Sequence, residues 1–83
     1  MPIERKDLAH ACELALAGQW DSAHAIVQQD ESDRTSCWIH AVLHKIEGDA
    51  GNARYWYGRA AQFYESYFDP RAELAAIKAT LTY

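Results

Sequence analysis

The chain has 83 residues, 49% of them hydrophobic and 12% aromatic, which is enough for the core of one small domain and too little for two. Eight lysines and arginines against twelve aspartates and glutamates give a net charge of −4. The positive residues form no basic stripe, so neither nucleic acid nor an anionic membrane is expected as a partner. No apolar run approaches the roughly 20 residues of a membrane-spanning helix.

The N-terminal residues and the cysteines favour a reducing compartment. The first seven residues, MPIERKD, are charged and lack the apolar core of a secretory signal. Cys12 and Cys37 have no CxxC spacing and are too few for a disulfide framework. The sequence therefore predicts reduced thiols and a cytoplasmic location.

Apolar residues recur at helical spacing in five segments, at about 2–17, 20–29, 33–47, 49–67 and 70–82. Gly18 is expected just beyond the end of the first helix, whose buried face carries Cys12 and leaves His10 on the wet side. The second helix is short, with His24 at the margin of a buried face. That face comprises Trp20, Ala23, Ile26 and Val27.

The last three segments begin at capping residues. Ser32 or Asp33 is expected to cap the third helix, Asp49 the fourth and Asp69 the fifth, with proline at the first helical position of the fifth. The predicted buried stripe of the third helix is Trp38, Ile39, Val42, Leu43 and Ile46. That of the fourth helix is heavily aromatic and comprises Ala53, Trp56, Tyr57, Ala60, Phe63, Tyr64 and Tyr67. The fifth has a narrow stripe of Leu74, Ile77 and Leu81.

A shift of 30 residues superimposes the pair His10-Ala11 on His40-Ala41, Gly18 on Gly48 and Ala23 on Ala53. A helix hairpin is therefore used twice, and stacking the two copies gives each a buried face. We predict one all-α domain over 1–83, built from two antiparallel helix hairpins, at about 2–29 and 33–67, and a C-terminal capping helix at about 70–82.

The turn and second helix of the second hairpin resemble the tetratricopeptide repeat, because Gly48-Asp49, Ala53, Tyr57 and Ala60 fall at that motif's spacing. The resemblance implies a stacked helical fold. Residues 40–57, HAVLHKIEGDAGNARYWY, resemble a group of small bacterial proteins of unassigned function. That likeness implies no activity.

On the third helix, Cys37, His40, His44 and Glu47 share a polar ridge roughly opposite the apolar stripe. Histidines at i and i+4 can converge on one metal ion, with Glu47, His24 or Asp49 completing the set. The alternative is ordinary solvated or inter-helix histidines bonded to nearby acids or tyrosines. A zinc protease is excluded because Ala41 stands where that motif needs glutamate.

A second polar group lies beside the aromatic stripe of the fourth helix. Tyr55 and Arg59 are i,i+4 neighbours that can present a hydroxyl and a guanidinium to a carboxylate or phosphate, or pack on each other at the surface. Asn52 is either part of this group or a first-turn residue that closes the helix terminus.

Two functions are compatible with these features. The first is a non-enzymatic protein-interaction module without a cofactor, which binds a protein partner or a second copy of itself. The alternative is a small-ligand or metal site, such as a zinc site with hydrolytic capacity, built from His40, His44 and Glu47 with His24.

Overall fold

The structure, a computed structural model, describes residues 3–81 and contains five α-helices. They are α1 (Arg5–Leu16), α2 (Trp20–Val27), α3 (Arg34–Ile46), α4 (Ala50–Ala60) and α5 (Pro70–Leu81), with one 3₁₀ turn at Tyr64–Ser66. Residues 3–81 include no β-strand, so the predicted all-α class with five helices is confirmed. Within these residues no helix combines the length and apolarity needed to span a bilayer. The start predicted at residue 2 and the end at residue 82 lie outside the described residues.

The two hairpins turn in the same way. Gly18 and Gly48 both have φ of +82°, a left-handed conformation that glycine adopts without the steric cost of a Cβ. The next amide then bonds back to the helix: Gln19 N donates to Leu14 O at 2.8 Å and Asp49 N donates to the O of His44 at 2.9 Å. The 30-residue repeat is therefore a repeat of turn geometry as well as of sequence.

The fourth helix is shorter than predicted. It ends at Ala60 because Ala61 adopts a left-handed conformation with φ of +58°, and the chain then leaves the helix axis. Phe63, expected on the buried face, is 74% exposed. The carbonyls of Tyr64 and Tyr67, which a continuing helix would use itself, accept hydrogen bonds from Lys45 Nζ at 2.9 and 2.8 Å.

The left-handed alanine predicts a local gain in stability. An L-residue in this conformation costs roughly 1–2 kcal/mol, so we expect Ala61→Gly to raise the free energy of unfolding by about 0.5–1 kcal/mol in urea denaturation. Gly48→Ala makes the reverse change at a residue where φ is +82° and no atom lies near the added Cβ. It should lower the free energy of unfolding by about 1 kcal/mol. A loss of stability in Ala61→Gly would contradict this account.

Helix α3 lies at the centre of the fold and packs against the other four helices, while α5 covers α1 and α3. The buried apolar core consists of Leu8, Ala11, Cys12, Ala15, Ala23, Val27, Ile39, Ala41, Val42, Leu43, Ala53, Tyr57, Leu74, Ile77 and Leu81. Trp20 was predicted to be buried but is 46% exposed, because α2 lies at the edge of the fold. Trp38 and Trp56 are partly buried against the core.

A buried polar network fixes α5 to the second hairpin. Glu73 is 0% exposed, and its carboxylate accepts bonds from Trp38 Nε1 at 2.8 Å, from the Tyr57 hydroxyl at 2.8 and 2.9 Å and from Lys45 Nζ at 3.1 Å. Burial and the bond to the carboxylate raise the pKa of Tyr57, so its hydroxyl remains a donor. Every charged atom in this network has a partner, as burial requires.

Candidate metal centre

Three histidines from two helices meet between α2, α3 and α4. His40 and His44 are one turn apart on α3, and His24 reaches them from α2. The Nε2 atoms of His24 and His40 are 2.8 Å apart, and the ring centroids of His40 and His44 are separated by 5.1 Å. One ligand nitrogen from each of the three histidines lies within 4.8 Å of the others. We call this group the three-histidine cluster.

The cluster is not the outer ridge that the sequence predicted. The side of α3 opposite its apolar stripe is covered by α2 and α4, so His40 is only 3% exposed and His44 is half-buried. The ring of Trp56 stacks on His40 with 4.0 Å between centroids and 14° between planes. The prediction that this ridge lies outside the hydrophobic seam is wrong for Cys37 and His40, because α2 and α4 cover that part of α3, whereas Glu47 at the end of the helix is exposed.

The electrostatics of the cluster favour an uncharged imidazole at His40. Burial, helped by repulsion from His24 and His44, lowers the pKa of His40 to about 4. His40 bonds His24 through Nε2, and its other ring nitrogen, Nδ1, is buried without a hydrogen-bond partner. A neutral imidazole is the form that binds metal, so this environment keeps His40 in its ligating state across physiological pH.

Glu47 orients the third histidine. Glu47 follows His44 by about one turn, at the C-terminal end of α3. Its Oε1 atom lies 3.2 Å from His44 Nδ1. A carboxylate at that distance accepts a hydrogen bond from Nδ1, which favours the tautomer whose Nε2 lone pair is free. Glu47 therefore belongs to the candidate site as the neighbour of a ligand, and the three ligand nitrogens come from histidines.

Asp49 and Asn52 close the start of α4 instead of joining the cluster. Asp49 Oδ1 accepts from the backbone amide of Asn52 at 3.3 Å, and Oδ2 accepts from its side-chain amide at 2.7 Å. These bonds lower the pKa of the Asp49 carboxyl. Asn52 therefore has the helix-closing role that was one of its two interpretations, and the capping role predicted for Asp49 is observed.

Tyr55 and Arg59 lie on the exposed side of α4 and contact each other. Arg59 Nη1 donates to the Tyr55 hydroxyl at 3.2 Å, and Nη2 donates to Glu31 O at 3.0 Å. The contact between Tyr55 and Arg59 at the surface is the second alternative of the sequence analysis, made here through a hydrogen bond. The bond to Glu31, which joins α4 to the loop after α2, was not predicted. Cys37, on the same face of α3 as the histidines, donates its thiol to Glu31 O at 3.2 Å. Burial raises its pKa, which disfavours a reactive thiolate.

Sequence reasoning gave Trp56 no part in the site, although it forms the wall behind His40. Its spacing on α4 indicated an inward-facing residue, but no local signal tells which residue of α3 it meets.

Comparison with known proteins adds no further information: no family, curated protein or solved structure matches the chain. The likenesses to tetratricopeptide repeats and to small bacterial proteins therefore stay predictions.

Proposed function

We propose that this chain binds one divalent transition-metal ion, with zinc as the reference ion, through His24, His40 and His44. The observation that carries the proposal is the convergence of three imidazole nitrogens within 4.8 Å. Two of the histidines are one turn apart on α3, the spacing at which a helix supplies two ligands to the same ion. The third comes from a neighbouring helix.

The donor set indicates the class of ion. Imidazole nitrogen suits zinc, copper, nickel and iron, whereas magnesium and calcium prefer oxygen ligands. The contact between Glu47 and His44 Nδ1 is the carboxylate–histidine arrangement that accompanies metal-bound histidines in proteins. These features support a nitrogen-rich transition-metal site.

Binding requires a small rearrangement. The Nε2 atoms of His24 and His40 share a hydrogen bond at 2.8 Å, whereas two nitrogens bound to one tetrahedral zinc at 2.0–2.1 Å lie about 3.3 Å apart. The two Nε2 atoms must therefore separate by about half an ångström, and the proton between them must move to the Nδ1 atom of the ring that carries it, so that both imidazoles stay neutral as the ion binds. The three ligand nitrogens span up to 4.8 Å, so the farthest of them must also move inward by as much as about 1.5 Å. A side-chain rotation of that size leaves the helices in place.

Zinc titration of the metal-free full chain tests the proposal. We expect isothermal titration calorimetry and elemental analysis to give one zinc ion per chain. The His40→Ala/His44→Ala variant should bind none, and His24→Ala should bind much more weakly because it lacks the third ligand. Circular dichroism checks that each variant keeps its helices.

His10→Ala is the matched control, because His10 is an exposed histidine outside the cluster. It should bind zinc as the unaltered chain does. Equal stoichiometry in the unaltered chain and the double variant would refute the metal site.

The interaction module stays a second proposal. It is favoured by the exposed side chains of Phe63 and Phe68, both in the segment between α4 and α5. Sedimentation of the purified protein tests its self-association form: a monomer at all concentrations would contradict it.

A further inference from the structure

The number of protein donors in the cluster leaves room for another ligand. Within residues 3–81, the set that could hold one ion consists of three histidines, and no cysteine or carboxylate joins it. Zinc and related ions take at least four ligands in sites of this kind. An ion held by the three histidines therefore keeps at least one coordination position for a ligand from outside the described residues.

The charge of the site indicates what that ligand is. All three donors bind as neutral imidazoles, so they bring no negative charge to a divalent cation. Two acids lie near His44: Glu47 approaches its Nδ1 atom, on the side away from a metal bound at Nε2, and the exposed Asp49 carboxylate, which caps α4, interacts with it by charge alone. The wall on the side of His40 is the indole ring of Trp56. A partly buried divalent charge with uncharged donors favours an anion at its open position.

Access and space set the size of the anion. His24 and His44 are half-buried, whereas His40 and the stacked Trp56 ring close the inner side, so the ligand arrives past His24 and His44. The surface pocket bordered by Lys45, Tyr64 and Phe68 lies elsewhere and includes none of the three histidines. Because Trp56 is stacked on His40 and solvent reaches the cluster past two half-buried histidines, we expect a compact anion and not an extended substrate.

We infer that the metal-loaded three-histidine cluster binds a small anion, such as hydroxide, azide or a short carboxylate, directly on the metal. This inference rests on the proposed metal function. The anion exchanges with water at the open position, and no bond in the protein forms or breaks. The chain would then act as a binding site for a metal–anion pair.

Cobalt substitution tests the inference on the full chain. Co²⁺ is loaded in place of zinc, and its visible absorption is followed during titration with sodium azide and, separately, sodium acetate. We expect saturable shifts of the absorption bands, because an anion in the first coordination shell changes the ligand field. Sodium perchlorate at equal ionic strength should leave the bands unchanged, and His10→Ala should respond as the unaltered chain does.

The outcomes separate the two proposals. Stoichiometric Co²⁺ binding with bands that ignore azide and acetate would overturn the anion site and leave the metal site standing. The same insensitivity in a protein that dimerises on cobalt loading would also overturn it, in favour of a fourth ligand from a second copy. Failure of both zinc and Co²⁺ to bind would remove the metal site and the anion site together.

Discussion

Glu73→Leu is expected to lower the free energy of unfolding by about 3–5 kcal/mol, the usual cost of removing one partner from a buried ion pair. The substitution leaves the ammonium of Lys45, whose side chain is 7% exposed, without its counter-charge. It also removes the acceptor of Trp38 Nε1 and of the Tyr57 hydroxyl. A domain of this size has a total stability of only about 4–12 kcal/mol. Urea denaturation measures the loss, and partial unfolding at room temperature is within the expected range.

Two comparisons isolate the cause. Glu65→Leu removes the acid of an exposed ion pair, in which Arg54 Nη2 lies 2.7 Å from Glu65 Oε2, and should cost at most about 1 kcal/mol. Lys45→Met/Glu73→Leu removes both buried charges and should recover a large part of the stability lost in Glu73→Leu. Equal losses in Glu73→Leu and Glu65→Leu would show that the buried network does not hold α5 in place.

The metal-free protein is expected to lose up to about 3 kcal/mol of stability between pH 7 and pH 4 because of His40. Its pKa in the folded chain is about 4, against about 6.5 for an exposed histidine. Between these values the unfolded chain binds a proton that the folded chain does not. Unfolding therefore takes up a proton, and its free energy falls as the pH falls through that window and levels off below pH 4.

The measurement is urea denaturation in the presence of a chelator at pH 7, 6, 5 and 4. His40→Gln, which cannot titrate, should show a shallower loss of stability over this range, whatever its stability at pH 7. His10→Gln should follow the unaltered chain, because His10 is exposed in the folded state. Parallel curves for the unaltered chain and His40→Gln would mean that His40 does not carry the pH dependence.

The helix boundaries that local chemistry sets could be predicted from the sequence. Asp33 accepts a bond from the Ser36 amide at 2.9 Å, and Asp69 accepts one from the Arg71 amide at 3.0 Å, as capping residues do. Gly18 and Gly48 end their helices in the expected conformation. Each of these features depends on residues within five positions of one another, so the sequence pattern contains the information.

The end of α4 could not be predicted, because no local signal marks it and the residues beyond it are bound by a residue of another helix. The aromatic spacing continues through Tyr64 and Tyr67, and no glycine or proline lies between Gly58 and Pro70 to mark the end of the helix. The helix stops at the left-handed Ala61, and beyond it Lys45 of α3 donates to the carbonyls of those two tyrosines. Periodicity along one segment does not report a buried ammonium from another helix.

The candidate site was predicted only in part, because contacts between helices are not visible in the spacing of residues along one segment. The i,i+4 spacing of His40 and His44 placed them on one face, and His24 was a candidate third member. Their burial depended on which elements cover that face, a property of the packing of α2 and α4 on α3. Asp49 and Asn52 had also been candidates for the site. Their bonds to each other in the first turn of α4 instead cap that helix.

The repeat places a histidine at corresponding positions of the two hairpins, and these positions differ in burial. His10 and His40 occupy corresponding positions of the two halves, yet His10 is exposed and His40 has α2 and α4 against it. An outermost unit has a neighbour on one side only, whereas an inner helix has neighbours on two. The capacity to gather ligands is thus a property of the pair of hairpins, and neither hairpin by itself would possess it.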